Sequence, residues 1–112
     1  MNNQVIEIST EAAMIKSKNG GLFVDVREID EVKDLSFDVP NIINIPLSLF
    51  EKSIKEISKD KDTVLVCRGG FRSFRATELL MKNGFTKVSN MEGGIIKWVE
   101  NNFPVKKDSI SN

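Results

Sequence analysis

Short apolar runs rich in β-branched residues alternate along this chain with segments in which apolar residues recur at helical spacing. The strands predicted in this way, with a shorter and more polar one last, lie at 5–8, 22–26, 42–45, 63–66 and 87–90. Strands that alternate with helices are typical of α/β domains, in which helices cover a mostly parallel sheet. The pattern therefore predicts one α/β domain with a central, mostly parallel sheet over residues 1–105. The polar residues 106–112 are predicted to form a frayed tail.

Capping residues predict where several helices begin. Ser9 is a candidate N-cap for the first helix, which glycines at 20 and 21 should end. Ser48 with Glu51 three residues later has the spacing of a capping box, and Ser73 is a candidate N-cap for a helix after the strand at 63–66. The acidic, aperiodic stretch from 28 to 40 is predicted to be a loop or a short irregular helix.

One cysteine and no histidine occur among the 112 residues. This composition excludes an intramolecular disulfide, Cys/His zinc sites and catalysis by a histidine. The 16 basic residues balance the 16 acidic ones, so there is no basic surplus that would draw the protein to nucleic acid or to an acidic membrane. No apolar run approaches the roughly 18 residues of a membrane span, and the N-terminus lacks a secretory pattern. We therefore expect a soluble, cytoplasmic protein with no nucleic-acid or membrane partner.

Cys67 follows the predicted strand at 63–66 and begins a glycine-containing loop that leads into a helix. Open α/β sheets habitually bind ligands at this position. The glycines allow successive amide N–H groups to surround the sulfur as an anion-binding nest, backed by the helix N-terminus. Three of the four arginines, Arg68, Arg72 and Arg75, lie in the next eight residues. Their charges should favour a thiolate and attract oxyanions, so the loop predicts a reactive thiolate that faces an anionic substrate.

A purely structural interpretation of the same residues stays open. Lone cysteines are often small buried hydrophobic residues, and Cys67 could be one of them. Arg68 and Arg75 could be solvated surface residues, whereas Arg72 closes the loop and is the better candidate to touch a substrate. Phe71 is either a hydrophobic lip at the site or a plug in the core.

The loop Cys67-Arg68-Gly69-Gly70-Phe71-Arg72-Ser73 resembles the Cys-x-x-Gly-x-Arg-Ser/Thr active loop of single-domain rhodaneses, the thiosulfate sulfurtransferases. Three other segments resemble motifs of that family in the same order: Val24-Asp25-Val26-Arg27-Glu28 with Glu31, Pro40-Asn41-Ile42-Ile43-Asn44-Ile45-Pro46, and Glu92-Gly93-Gly94-Ile95-Ile96-Lys97-Trp98. The resemblance implies a rhodanese-like three-layer fold with a central, mostly parallel five-stranded sheet flanked by helices. One departure is that Phe37-Asp38-Val39 stands where the family commonly has Gly-His-Ile.

The resemblance also implies an activity. The Cys67 thiolate would take the sulfane sulfur of thiosulfate, or of a related persulfide or polysulfide, and pass it as a persulfide to a thiol, cyanide or protein acceptor. The implied substrate-binding residues are those of the loop: Arg68, Gly69, Gly70, Phe71, Arg72 and Ser73. Asp25, Arg27 and Arg75 are possible supporting residues, with a structural ion pair the favoured role for Asp25 and Arg27. No metal and no cofactor is implied beyond the covalent persulfide, and Gly93, Gly94 and Trp98 are interpreted as structural.

Two other functions compete with sulfur transfer. A phosphatase or arsenate reductase on the same fold would cradle a tetrahedral oxyanion in a Cys-x5-Arg loop, whereas here Arg72 follows Cys67 after four residues and Ser73 occupies the expected arginine position. The shorter loop favours a sulfur atom over a phosphate. A non-catalytic docking module is the second competitor, although the cysteine and loop are intact here.

Overall fold

A five-stranded parallel sheet lies at the centre of the computed structural model, which describes residues 4–107. The strands are β1 (Glu7–Ile8), β2 (Leu22–Asp25), β3 (Leu35–Phe37), β4 (Ile42–Asn44), β5 (Thr63–Val66), β6 (Val88–Met91) and β7 (Val105–Lys107). The helices are α1 (Thr10–Lys18), α2 (Ile29–Asp34), α3 (Phe50–Ser53), α4 (Phe71–Lys82) and α5 (Gly94–Glu100), and 3-10 turns at Leu47–Leu49 and Ile54–Glu56 flank α3.

The order of the strands in the sheet is β1-β6-β5-β2-β4, and every neighbouring pair is parallel. The predicted α/β fold with a five-stranded, mostly parallel sheet is therefore confirmed. Strand β5 occupies the middle because its four residues are buried and β-branched or leucine, which suits a strand covered on both faces. The carboxyl ends of β5 and β2 lie side by side, since Asp25 is in register with Val66.

Successive strand residues supply two separate cores, one on each face of the sheet. Val24 and Leu65 point into one core, while Phe23, Val64 and Val66 point into the other. This alternation follows from the two-residue period of a strand. Four aromatic residues pack edge to face in the second core, with Trp98 against Phe23, Phe37 and Phe103.

The stretch from 28 to 40 contains α2 and, unexpectedly, the strand β3. Strand β3 pairs antiparallel with β7, with Phe37 opposite Val105. Both strands have three residues, so neither carries a clear periodic signal. Lys106 and Lys107 belong to β7 rather than to the predicted frayed tail, and the remaining tail residues, 108–112, lie outside the described residues.

Local hydrogen bonds confirm one predicted helix cap and contradict two. The Ser9 hydroxyl accepts from the Ala12 amide at 3.0 Å and caps α1 as predicted. The Ser48 hydroxyl instead donates to the Glu28 carboxylate at 3.3 Å, and the capping box lies between Glu28 and Glu31 at the start of α2. Ser73 lies inside α4, which begins after Gly70 rather than at a serine cap. Among residues 4–107 there is no helix long and apolar enough to cross a membrane.

Candidate active site

Cys67 lies one residue beyond the carboxyl end of β5, and its side chain is buried. The Sγ atom accepts hydrogen bonds from the Gly70 amide at 3.1 Å and from the Ser73 amide at 3.3 Å, and the Ser73 Oγ atom lies 3.2 Å from it. The amides of Phe71 and Arg72, the first two of α4, have no hydrogen-bond partner among the described residues. Because N–H groups in a first helical turn point out of the helix end, the sulfur occupies an electropositive position that favours negative charge.

Two glycines at the start of α5, Gly93 and Gly94, pack against the backbone of the loop that follows Cys67. The Cys67 and Arg68 carbonyls accept from the Ile95 and Ile96 amides at 2.9 Å and 3.2 Å. A Cβ atom at Gly94 would collide with the Arg68 carbonyl, and one at Gly70 would lie 3.2 Å from the backbone nitrogen of Gly93. The Gly-Gly pair is therefore structural as predicted, and its structural role is to let α5 approach the backbone of the Cys67 loop.

Arg72 forms a bidentate ion pair across the site with Glu31 of α2. The two N···O distances are 2.7 Å and 2.9 Å. The pKa of Glu31 is lowered to about 2, chiefly because its carboxylate accepts these hydrogen bonds, and the pair raises the pKa of Arg72. Both terminal nitrogens of the predicted donor-binding Arg72 are thus engaged by a protein carboxylate. Glu31 belongs to the motif that begins at Val24, but the spacing of that motif does not predict a contact with a residue 41 positions later in the chain.

Asp25 and Arg27 form a buried ion pair beneath α2. The Arg27 Nη2 atom lies 2.9 Å from Asp25 Oδ2, and both side chains are almost fully buried. Arg27 also donates to the Leu35 carbonyl at 2.8 Å and to the Glu31 carbonyl at 3.4 Å. These contacts fit the structural role favoured for the pair, because they fix α2, which carries Glu31, to the end of β2.

The remaining predicted residues lie at the surface. Arg68 and Arg75 are exposed and have no ion-pair partner within residues 4–107. Phe71 is 87% exposed, so it is not a plug in the core. A shallow surface groove beside the loop is lined by Gly69, Gly70, Phe71 and Phe74 together with Glu7, Glu92 and Gly93. Arg68, which follows Cys67 in the chain, is therefore an exposed cationic side chain, and Phe71 is an exposed ring in the same loop.

The sequence reasoning missed Asn90 on β6 as a residue of this site. Its side chain is fully buried. The Asn90 Oδ1 atom accepts a hydrogen bond from the Ser73 hydroxyl at 2.5 Å. The Asn90 Nδ2 atom donates to the Gly70 carbonyl at 3.1 Å and to the Glu7 carboxylate at 2.9 Å. An amide near the carboxyl end of a buried strand beside β5 is the signal that could have revealed it, since buried polar groups need partners.

Comparison with known proteins places these features in a family. The family model described as the Rhodanese-like domain matches residues 9–101. A sulfurtransferase from Allochromatium vinosum is 37% identical over 75% of this chain and 77% of its own length. The crystal structure of a rhodanese-related protein from Thermoplasma volcanium superposes with a TM-score of 0.79 at 32% identity, covering 90% of this chain and 97% of that one. A polysulfide-sulfur transferase homodimer from Wolinella succinogenes gives a TM-score of 0.78 at 26% identity, over 96% of this chain and 82% of that one.

Proposed function

The chain belongs to the rhodanese-like domain family, and from that membership we propose that it is a sulfurtransferase that carries the transferred sulfur as a persulfide on Cys67. The observation that carries this proposal is the position of the Cys67 sulfur, which lies at the N-terminus of α4 and accepts two amide hydrogen bonds. The unpartnered amides of Phe71 and Arg72 are suited to hold the outer sulfur of a persulfide.

The transfer proceeds in two displacements. In the first, the Cys67 thiolate attacks the outer sulfur of the donor; a new S–S bond forms, the donor's S–S bond breaks, and its electron pair leaves with sulfite or with a shorter polysulfide anion. In the second, an acceptor thiolate or cyanide attacks the outer sulfur, and the electron pair of the broken bond returns to Cys67 as a thiolate. The two steps balance without an external oxidant, metal or cofactor.

We propose thiosulfate, a persulfide or a polysulfide as the donor. A small anionic donor would meet Arg68 at the mouth of the loop, because Arg68 is exposed and carries no ion-pair partner within residues 4–107. Arg72 would contact the donor only after leaving Glu31. A thiol acceptor requires a reducing compartment, so we place the reaction in the cytoplasm.

A protein acceptor is the second candidate partner, and the exposure of Phe71 favours it. An aromatic side chain that is 87% exposed beside the reactive loop offers apolar area to a docking protein. Transfer to a protein and transfer to a small thiol use the same site and differ only in what approaches Phe71.

Intact-protein mass spectrometry tests the proposal. The protein is incubated with thiosulfate or polysulfide and then treated with cyanide, beside a Cys67→Ser variant. We expect the gain of one sulfur atom that requires Cys67 and is discharged by cyanide, which separates a persulfide from a sulfinic acid of nearly equal mass. The absence of an adduct with either donor would refute small-molecule sulfur transfer.

A further inference from the structure

The hydrogen bonds around Asn90 have only one consistent direction. Gly70 O and the Glu7 carboxylate are acceptors, so the Asn90 amide must turn its NH₂ group toward them. Its Oδ1 atom therefore faces Ser73, and since Oδ1 has no hydrogen, the Ser73 hydroxyl must donate its single proton to Asn90.

This direction decides what Ser73 offers to Cys67. The Ser73 Oγ atom lies 3.2 Å from Sγ, but its proton is already used, so it faces the sulfur with a lone pair. A neutral thiol satisfies that lone pair by donating its S–H, whereas a thiolate is repelled by it. Turning the Ser73 hydroxyl toward a thiolate would leave the fully buried Asn90 oxygen without a partner, which costs free energy.

We propose that Asn90 is a positioning residue that withholds the Ser73 proton from Cys67. When Cys67 is protonated, its S–H is directed at Ser73. Once that proton has left to solvent, the Gly70 and Ser73 amides still donate to the thiolate, but the Ser73 hydroxyl does not. The inference deepens the proposed function, on which its importance for sulfur transfer rests, because it names the residue that sets how much reactive thiolate is present.

Titration of the thiolate by its ultraviolet absorbance tests the direction of these bonds. The chain has one cysteine and no tyrosine, so the absorbance change reports Cys67 alone. We expect Ser73→Ala and Asn90→Leu each to move the titration midpoint to lower pH by about half to one unit, a three- to tenfold gain in thiolate, as one hydrogen bond of ordinary strength would give. The charged groups that surround the loop are unchanged in the two variants: Glu7, Asp25, Arg27, Glu31, Arg68, Arg72 and Glu92.

Two further variants separate this effect from a loss of structure. Ser73→Thr keeps a hydroxyl and should restore the wild-type midpoint. Ser89 lies beside Asn90 on β6, and its buried hydroxyl has no hydrogen-bond partner within the described residues. Ser89→Ala should therefore leave the midpoint unchanged. Local opening of the loop would take the sulfur away from the Gly70 and Ser73 amides and so raise the midpoint, which is opposite to the expected shift.

The outcomes discriminate the two possible directions. If Ser73 donated to the sulfur, Ser73→Ala would raise the midpoint, and that result would overturn the proposal, as would an unchanged midpoint in folded Asn90→Leu. Should Asn90→Leu not fold, the sign of the Ser73→Ala shift decides alone. The titration needs no sulfur donor, so a protein that shows these shifts but gains no sulfur in the mass experiment refutes sulfur transfer and leaves the role of Asn90 intact.

Discussion

Replacing Glu31 by glutamine should weaken the contact between α2 and α4 while preserving the start of α2. The Glu31 carboxylate accepts a hydrogen bond from the Glu28 amide at 3.0 Å, and the side-chain oxygen of glutamine can still accept it. Glutamine lacks the negative charge that pairs with Arg72. The pKa of Glu31 is lowered from 4.5 to about 2. In a site shielded from solvent, this shift would contribute about 3 kcal/mol to the free energy of unfolding. The two side chains are 35% and 33% exposed, and solvent screening reduces such a pair to about 1 kcal/mol. We expect Glu31→Gln to lower the free energy of unfolding by about that amount at neutral pH.

The pH dependence follows from the sign of the shift. Because folding lowers the pKa of Glu31, its contribution is present above pH 4.5 and is lost as the pH falls toward about 2. Urea unfolding from neutral pH down to about pH 3 should therefore show a difference between the wild type and Glu31→Gln that narrows below pH 4.5. Asp62→Asn, which breaks the surface pair with Lys16, is the matched control and should cost less than about 0.5 kcal/mol. Equal stability of the wild type and Glu31→Gln at neutral pH, or a gap that stays constant on acidification, would refute this reasoning.

Five other substitutions test the proposed nucleophile and the packing of the fold. Cys67→Ser should abolish the sulfur adduct in the mass experiment and leave the circular dichroism spectrum unchanged. Gly94→Ala should lower the free energy of unfolding by more than about 2 kcal/mol and impair sulfur loading, because the added Cβ would collide with the Arg68 carbonyl. Gly20→Ala is the control: its Cβ would have open space, and its positive φ should cost only about 1 kcal/mol. Equal losses of the two variants in urea unfolding would contradict this. Trp98→Ala should lower the free energy of unfolding by about 3–5 kcal/mol, because its ring is fully buried. Phe71→Ala should change the free energy of unfolding by less than about 0.5 kcal/mol, because its ring is exposed. It should slow transfer to a protein acceptor but not to a small thiol, and stopped-flow transfer assays with both acceptors would check this.

The sequence predicted those parts of the molecule whose signals are local. Strand β5 and the loop after it could be predicted because a short β-branched run, a cysteine and glycines are adjacent in the chain. The pairing of β3 with β7 could not, because 68 positions separate Phe37 from Val105 and neither strand is long enough to show a period. The Ser48 spacing matched a capping box, but a hydroxyl bonds whichever acceptor the tertiary structure offers, and here that acceptor is Glu28.

The candidate site shows the same division. The loop residues that follow Cys67 could be proposed from the sequence, whereas the carboxylate that engages Arg72 and the amide that engages Ser73 come from α2 and β6. Such partners depend on the order of the strands, which places β6 and β2 on either side of β5. A motif therefore pointed to Cys67 as the proposed nucleophile, and the packing of the sheet determined which hydrogen-bond partners surround its sulfur.

The hydrogen bonds around Cys67 also limit which leaving groups the site can expel. Among the described residues, the side chain that contacts its sulfur is Ser73, whose proton is committed to Asn90, and the chain has no histidine to serve as an acid. A leaving group that is stable as an anion needs no proton from either of these residue types. Sulfite and polysulfide anions are stable in that form near neutral pH, but an alkoxide is not. The arrangement thus suits the proposed sulfur transfer better than hydrolysis of an alkyl phosphate, which needs an acid to protonate the departing alcohol.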